Sequence, residues 1–299
     1  MNTPEKLYVV TDTGSSFRPE DLIAQQSGIR IIPLQLSILE AGGWVAKQET
    51  DIAPGQFYTI MRDMIAHNGE LPRTSGLNPG IAKDMYMRLF QEGSAAGIFS
   101  VHITAAHSQA MNAARLGAEE ARQETGEELP IIVADSQQLT LGQWWVAETA
   151  ARLAAKGAAL KQVAEEIAEL LPRIRLYAVL ENFENLKLGG RADQIKGRLA
   201  SVLSALHIHP ILGFKDGKLD IFGRARNAAK ARMKMVDMTF ARGQLERVGV
   251  VHTNAPQLAE TVRQALSRFV GGFIPIVDAG PALAVHAGER AVGVVSQVS

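Results

Sequence analysis

Leu7-Tyr-Val-Val-Thr-Asp-Thr-Gly-Ser-Ser16 is the stretch whose reading decides the fold. Leu7 to Val10 is a short apolar run with β-branched and aromatic members, which reads as a strand. Thr11 to Ser16 is a cluster of turn and N-cap formers, so the strand runs straight into a loop and the start of a helix. The pattern recurs. Ile29 to Leu36 reads as a strand with Pro33 inside it, Pro54 to His67 as a helix, and Ile98 to Ile103 as a strand. Ser108 to Thr125 then reads as a helix and Pro130 to Ala134 as a strand. Strands alternating with helices imply a mainly parallel sheet covered on both faces, with the ligand crevice formed by loops at the carboxyl ends of the strands. Those loops hold Thr11 to Ser16, Thr104 to Ser108 and Asp135 to Gln138.

Apolar residues recur at helical spacing from Leu141 to Ala155 and from Leu160 to Leu171, predicting two helices that bridge the halves of the chain. The character then changes. Ile174 to Leu180 reads as a strand, Ile195 to Leu206 as a helix, and Pro210 to Phe214 with Lys218 to Phe222 as a hairpin around Asp216-Gly217. Arg247 to His252, Phe273 to Val277 and Ala291 to Val295 add strands, with a helix over Pro256 to Phe269. The expected fold is therefore α/β in two domains. Residues 1–160 form a three-layer α/β/α domain with a mainly parallel sheet, and residues 161–299 a two-layer α+β domain with a mixed or antiparallel sheet.

At 299 residues the chain exceeds the usual span of one hydrophobic core and has room to enclose a ligand. Lys plus Arg and Asp plus Glu number 31 each, so no global field favours nucleic acid or an anionic membrane. The chain has no cysteine, which excludes disulfides and thiolate chemistry. No run approaches the roughly 18 apolar residues of a membrane span and no apolar leader precedes the first strand. A cytoplasmic protein without stable membrane insertion is expected.

Taken singly, the hydroxyl- and glycine-rich loops are weak signals. Thr74-Ser75 before Gly76 fits an ordinary turn or N-cap, Gly189-Gly190 a tight turn, Arg191 an ion-paired side chain, and His286 a hydrogen-bonded structural imidazole. Their order is informative. Thr11-Asp12 follows the first strand, Pro33-Leu34 ends the second, Thr74-Ser75 opens a helix, and Asp135-Ser136 follows another strand. Leu188-Gly-Gly-Arg191, Ile208-His-Pro-Ile211, Asp216-Gly217, Arg226 before an alanine- and lysine-rich helix, and His286-Ala-Gly288 complete the series. In this order and spacing the chain resembles the DegV family along essentially its whole length.

The resemblance implies a fatty-acid-binding protein that buries an acyl chain and holds its carboxylate between two domains. By position it assigns the carboxylate to Thr74, Ser75, His286 and Arg191, with Thr11, Asp12, Gly189, Gly190 and Gly288 in supporting loops. Such proteins serve in some cases as the acyl-presenting partner of an ATP-dependent fatty acid kinase. Two stretches depart from the family pattern. Thr104-Ala-Ala-His-Ser-Gln109 stands where the family has Ser-x-Leu-Ser-Gly-Thr, so His107 or Ser108 replaces its second serine, and Glu289-Arg290 stands where it has proline and glycine. The implied ligand is a long-chain fatty acid; no cofactor, metal or catalytic residue is implied.

Two alternatives come from other classes. A small-molecule enzyme, or a substrate-binding subunit related in fold to dihydroxyacetone kinase, would need a nucleotide site. The chain has neither a P-loop nor a dinucleotide-binding glycine motif after a strand. A metal hydrolase could draw on His102, His107, His207, His209 and His252, with His207 and His209 at strand spacing, but no acidic ligand stands at a recognisable distance.

Overall fold

The computed structural model describes residues 6–92, 95–126, 128–181, 183–188 and 208–299. The helix expected over Ile195 to Leu206 lies outside them, as do Gly189, Gly190, Arg191 and His207. In chain order, the first half contains β1 (Lys6–Asp12), α1 (Leu22–Ser27), β2 (Arg30–Ile32), β3 (Gln35–Glu40), β4 (Gly43–Gln48), α2 (Pro54–Asn68) and β5 (Arg73–Gly76). It continues through α3 (Pro79–Gln91), β6 (Ala95–His102), α4 (Ala110–Thr125), β7 (Ile131–Asp135), α5 (Thr140–Ala155) and α6 (Leu160–Leu170). The remainder supplies β8 (Ile174–Val179), α7 (Glu184–Leu188), β9 (His209–Lys215), β10 (Lys218–Ala225), α8 (Ala228–Phe240) and β11 (Leu245–His252). It ends with α9 (Pro256–Leu266), β12 (Ile276–Asp278), α10 (Pro281–Ala287) and β13 (Val292–Val298).

Strands β2-β1-β6-β7 form the expected parallel sheet. Side chains alternate across it: Tyr8 and Val10 pack into one core with α3 and α4, while Val9 packs into another with α5 and α6. The second sheet runs β10-β9-β8-β13-β11-β12 and is antiparallel except for β11 with β12. Helices α8 and α9 cover its far face through Met235, Val236, Ala259 and Val262. Helix α5 spans the two halves, sharing a core with Val9 and Phe99 of the first sheet and with Leu176, Val251 and Val295 of the second. That packing is close enough that a Cβ at Gly249 would sit 2.3 Å from Leu141 Cδ2, so glycine there lets the Leu141 side chain lie directly on β11.

Three expectations are corrected. Ile29 to Leu36 is not one strand: β2 stops at Ile32 and the chain crosses at Pro33-Leu34 into β3, which belongs to a separate antiparallel sheet β4-β3-β5. Proline cannot donate to a ladder, and the Leu34 N–H instead donates to Thr13 Oγ1 at 2.9 Å. Thr74-Ser75 does not open a helix but lies in β5; α3 begins at Pro79, capped by the Asn78 side chain. Phe273 is 90% exposed and outside the last parallel strand, which begins at Ile276. The hairpin at Asp216-Gly217 forms as read, with φ of 52° and 75° at the two turn residues, the left-handed pair of a type I′ turn.

Where β1 ends, the fully buried Asp12 ties the β6 end to α5. Its Oδ1 accepts from the Gly14 N–H (2.9 Å) and Gln143 Nε2 (2.9 Å), and its Oδ2 from the Ile103 N–H (3.1 Å) and lies 2.9 Å from His102 Nδ1. A carboxylate with every lone pair used is tolerated without water; removing it strands buried donors. Asp12→Ala is expected to cost about 3 kcal/mol, read as a lower urea midpoint with an unchanged slope.

Candidate functional site

A cavity of about 280 Å³ lies between the two halves, near the lower end of the roughly 300–1,000 Å³ usual for small-molecule sites. Leu34, Ile103 and Leu139 from the first half and Leu176, Leu212 and Phe214 from the second sheet make much of its wall apolar. Polar groups gather from β5, the loop before α4 and α10: Thr74, Ser75, Ser108, Gln109 and His286. Ile103 and Leu180 also line it, whereas Leu77 and Phe99 belong to the cores around the first sheet.

Thr74 and His286, 212 residues apart in sequence, meet here, with Thr74 Oγ1 2.9 Å from His286 Nε2. Strand pairing with Leu36 fixes Thr74, and the last turn of α10 carries His286. Ser75, next to Thr74, is exposed. The Gly76 φ of 77° is left-handed, and a Cβ there would press on the Ala110 N–H at 3.3 Å, so glycine lets β5 approach the start of α4. Ser108 Oγ accepts from that same Ala110 N–H at 3.1 Å while facing the cavity.

His107 lines the cavity as well and also holds a neighbouring strand. Its Nε2 accepts from the Leu219 N–H at 3.0 Å, and its ring meets Phe214 edge-on at 5.4 Å. Nε2 acting as acceptor places the proton of the neutral ring on Nδ1. Strand β10 is at the edge of its sheet, so the imidazole satisfies a donor that the ladder leaves open. Thr104 Oγ1 adds a 2.7 Å bond to the Gly217 carbonyl, and a Cβ on Gly217 would lie 2.8 Å from that hydroxyl. The altered loop thus fastens the hairpin of the second half onto the first.

Thr11 and Asp12 stand behind the site, fully buried, and do not line the cavity. Gly288 closes α10 with φ 70°, its carbonyl accepting from Thr253 Oγ1. Sequence reading missed a continuous buried chain in which His102 Nε2 lies 2.8 Å from Ser100 Oγ, itself 2.8 Å from Tyr86 Oη. The Ser100-x-His102 spacing on one strand face, opposite Asp12, was its only signal. Ser100, His102 and Asp12 follow the order of a hydrolase triad, yet all three are fully buried, none lines the cavity, and the Ser100 hydroxyl is held by a tyrosine that burial pushes to a higher pKa.

His252, read as a metal-ligand candidate, pairs with Asp278 (Nδ1 to Oδ2, 3.4 Å), and burial holds its imidazole below the ordinary histidine range against that carboxylate. Among the described residues no group of three or more His, Cys, Asp or Glu could hold a metal ion, and no helix is long and apolar enough to cross a membrane.

The sequence profile of the DegV family, described as uncharacterised, matches residues 6–298. The chain belongs to the DegV family. Among its relatives, a DegV domain-containing protein of Caldanaerobacter subterraneus is 28% identical over 302 residues, covering 97% of this DegV chain and 98% of its own. One of Mycobacterium bovis is 30% identical over 292 residues, covering 96% of each. Among solved structures, a fatty acid binding DegV family protein from Thermus thermophilus has a TM-score of 0.81 at 23% identity, over 98% of this DegV chain and 100% of its own. A stearic acid-binding protein from Eubacterium ventriosum has a TM-score of 0.81 at 20% identity, over 97% and 98%. These likenesses establish the two-domain fold.

His107→Ala leaves the Leu219 N–H without its acceptor, at a cost of about 1–3 kcal/mol. Faster hydrogen exchange at the Leu219 amide is the expected result, with the β9–β10 ladder itself retained.

Proposed function

We propose that this chain is a non-catalytic fatty acid carrier that buries an acyl chain in the interdomain cavity and holds its carboxylate at the Thr74–His286 end. The observation that carries this reading is the segregation of the wall, apolar along both sheets and rich in donors where β5, the α4 start and α10 converge. Thr74, Ser75, Ser108 and His286 are the carboxylate donors in this reading, joined by Arg191 after Gly189-Gly190 as the family resemblance implies; His107 contributes through the hairpin it holds. The division near residue 160 gives each half one side of the ligand. Because the sequence carries no P-loop, any phosphorylation of the bound carboxylate falls to a separate ATP-dependent kinase subunit, to which the chain presents it.

Magnitudes divide the work. Burying some fourteen methylenes at roughly 0.8 kcal/mol each gives on the order of 11 kcal/mol before ordering costs, so the wall supplies affinity. A hydrogen bond to a charged group nets about 1.5–3 kcal/mol, so each head-group donor mainly orients the ligand and selects a carboxylate.

Denaturing solvent extraction of purified protein followed by mass spectrometry should yield a near-stoichiometric fatty acid. Thr74→Val and His286→Ala are each expected to weaken fatty acid binding roughly tenfold or more. An empty protein that takes up no member of a fatty acid panel would overturn the carrier reading.

A further inference from the structure

Helix α10 carries His286, yet its N-cap residue makes no side-chain bond to the first turn. The N-cap residue is Gly280, which has no side chain to accept from the first turn, and Pro281 follows it. The missing acceptor comes from the other half of the molecule, where Glu49, 2% exposed, accepts from the Ala282 N–H through Oε1 at 3.0 Å. Ala282 is the second helical residue, whose N–H an N-cap side chain normally satisfies. A Cβ on Gly280 would lie 2.9 Å from Glu49 Oε1, so the glycine makes room for the carboxyl. Glu49 is held in turn: the Thr13 hydroxyl donates to Oε2, the Arg18 guanidinium donates to its carbonyl at 3.0 Å, and its own N–H donates to the Leu34 carbonyl at 2.8 Å.

We propose that Glu49 is a positioning residue for the carboxylate site, acting as a surrogate N-cap that holds α10 and so sets His286 against Thr74. Ala282 and His286 are four residues apart, on one face of the helix, so the hold at one end fixes the ring at the other. Other ties to the same segment include Tyr58 Oη to Asp278 (2.9 Å), Ser16 Oγ to the Ala279 carbonyl (3.2 Å), Arg62 to Glu289 (2.9 Å) and, on the helix itself, Asn185 Nδ2 to the Val285 carbonyl (3.1 Å). Asp278 also accepts from the Gly280 N–H (2.9 Å), but the Ala282 N–H inside the first turn is held by Glu49.

Burial pushes the Glu49 carboxyl up to about 7, opposed by the Thr13 hydroxyl, the Ala282 N–H and Arg18, and assisted by Asp12. On the segment it holds, the ionisable groups are Asp278, His286 and Glu289; on its own turn Asp51 caps Gln48, and on α2 Arg62 faces Glu289. A carboxyl with a raised pKa favours the held state when protonated. The hold is therefore strongest below the ordinary carboxyl value of about 4.5 and weakens as pH rises towards about 7. This pH arm of the inference adds regulation to the carrier reading and rests on that reading only for its ligand readout.

The experiment uses the full chain and two readouts. Hydrogen exchange at the α10 amides, corrected for its intrinsic pH dependence, follows the hold without ligand, and release of cis-parinaric acid follows its effect on the site. Between about pH 5.5 and about pH 8 both opening and release should rise in the wild type, by up to roughly twentyfold. Glu49→Gln should flatten both profiles while keeping slow release, Glu49→Ala should give fast opening at every pH, and Thr13→Val should move the wild-type midpoint upward. A Glu49→Gln exchange profile with the wild-type slope, or a Glu49→Ala chain whose α10 stays protected, overturns the inference. Failure of every variant and the wild type to take up the probe overturns the carrier reading instead, and the exchange profiles still decide the role of Glu49.

Discussion

The buried carboxylate of Asp12 is the point on which both halves turn. It sits at the carboxyl end of β1, fully buried, and joins β1 to the β6 end through His102 and the Ile103 N–H and to α5 through Gln143. An ionised group without water is stable only when its lone pairs are used. The constraint therefore places β1, β6 and α5 relative to one another, and α5 in turn carries the second sheet.

From that arrangement the cavity follows. Helix α5 fills the space between the two sheets over much of their length, and where it ends Leu139, Ile103 and Leu34 face Leu176, Leu212 and Phe214 across a gap. The gap is closed by polar contacts between segments distant in sequence: His107 and Thr104 hold the β9–β10 hairpin, while Glu49, Thr74 and Arg62 hold the segment around α10. Each such bond is individually weak beside the apolar burial around it. Together they fix which donors face the cavity, which is a matter of orientation rather than of stability.

Much of the fold was legible in the sequence because its signals are local. Helix α2 and the Asp216-Gly217 hairpin are set by periodicity and by turn residues that few alternatives satisfy. Thr74-Ser75 was misplaced for the same reason: hydroxyls before a glycine favour a cap locally, and only pairing with β3 makes the segment a strand. The apolar run continues past Pro33 and so favours one long strand, whereas the missing N–H ends the ladder there.

The sequence by itself determined most of the alternation of strands and helices, the two-domain α/β class and, through short motifs in family order, the family resemblance. Tertiary structure alone decided what each loop side chain touches. It gave His107 Nε2 an edge-strand amide to accept from, brought Thr74 to His286 across 212 residues, and set Glu49 at the start of a helix from the opposite half. The reason is physical: periodicity and capping act within a few residues, whereas an unsatisfied donor in a buried place takes the nearest acceptor that folding brings to it.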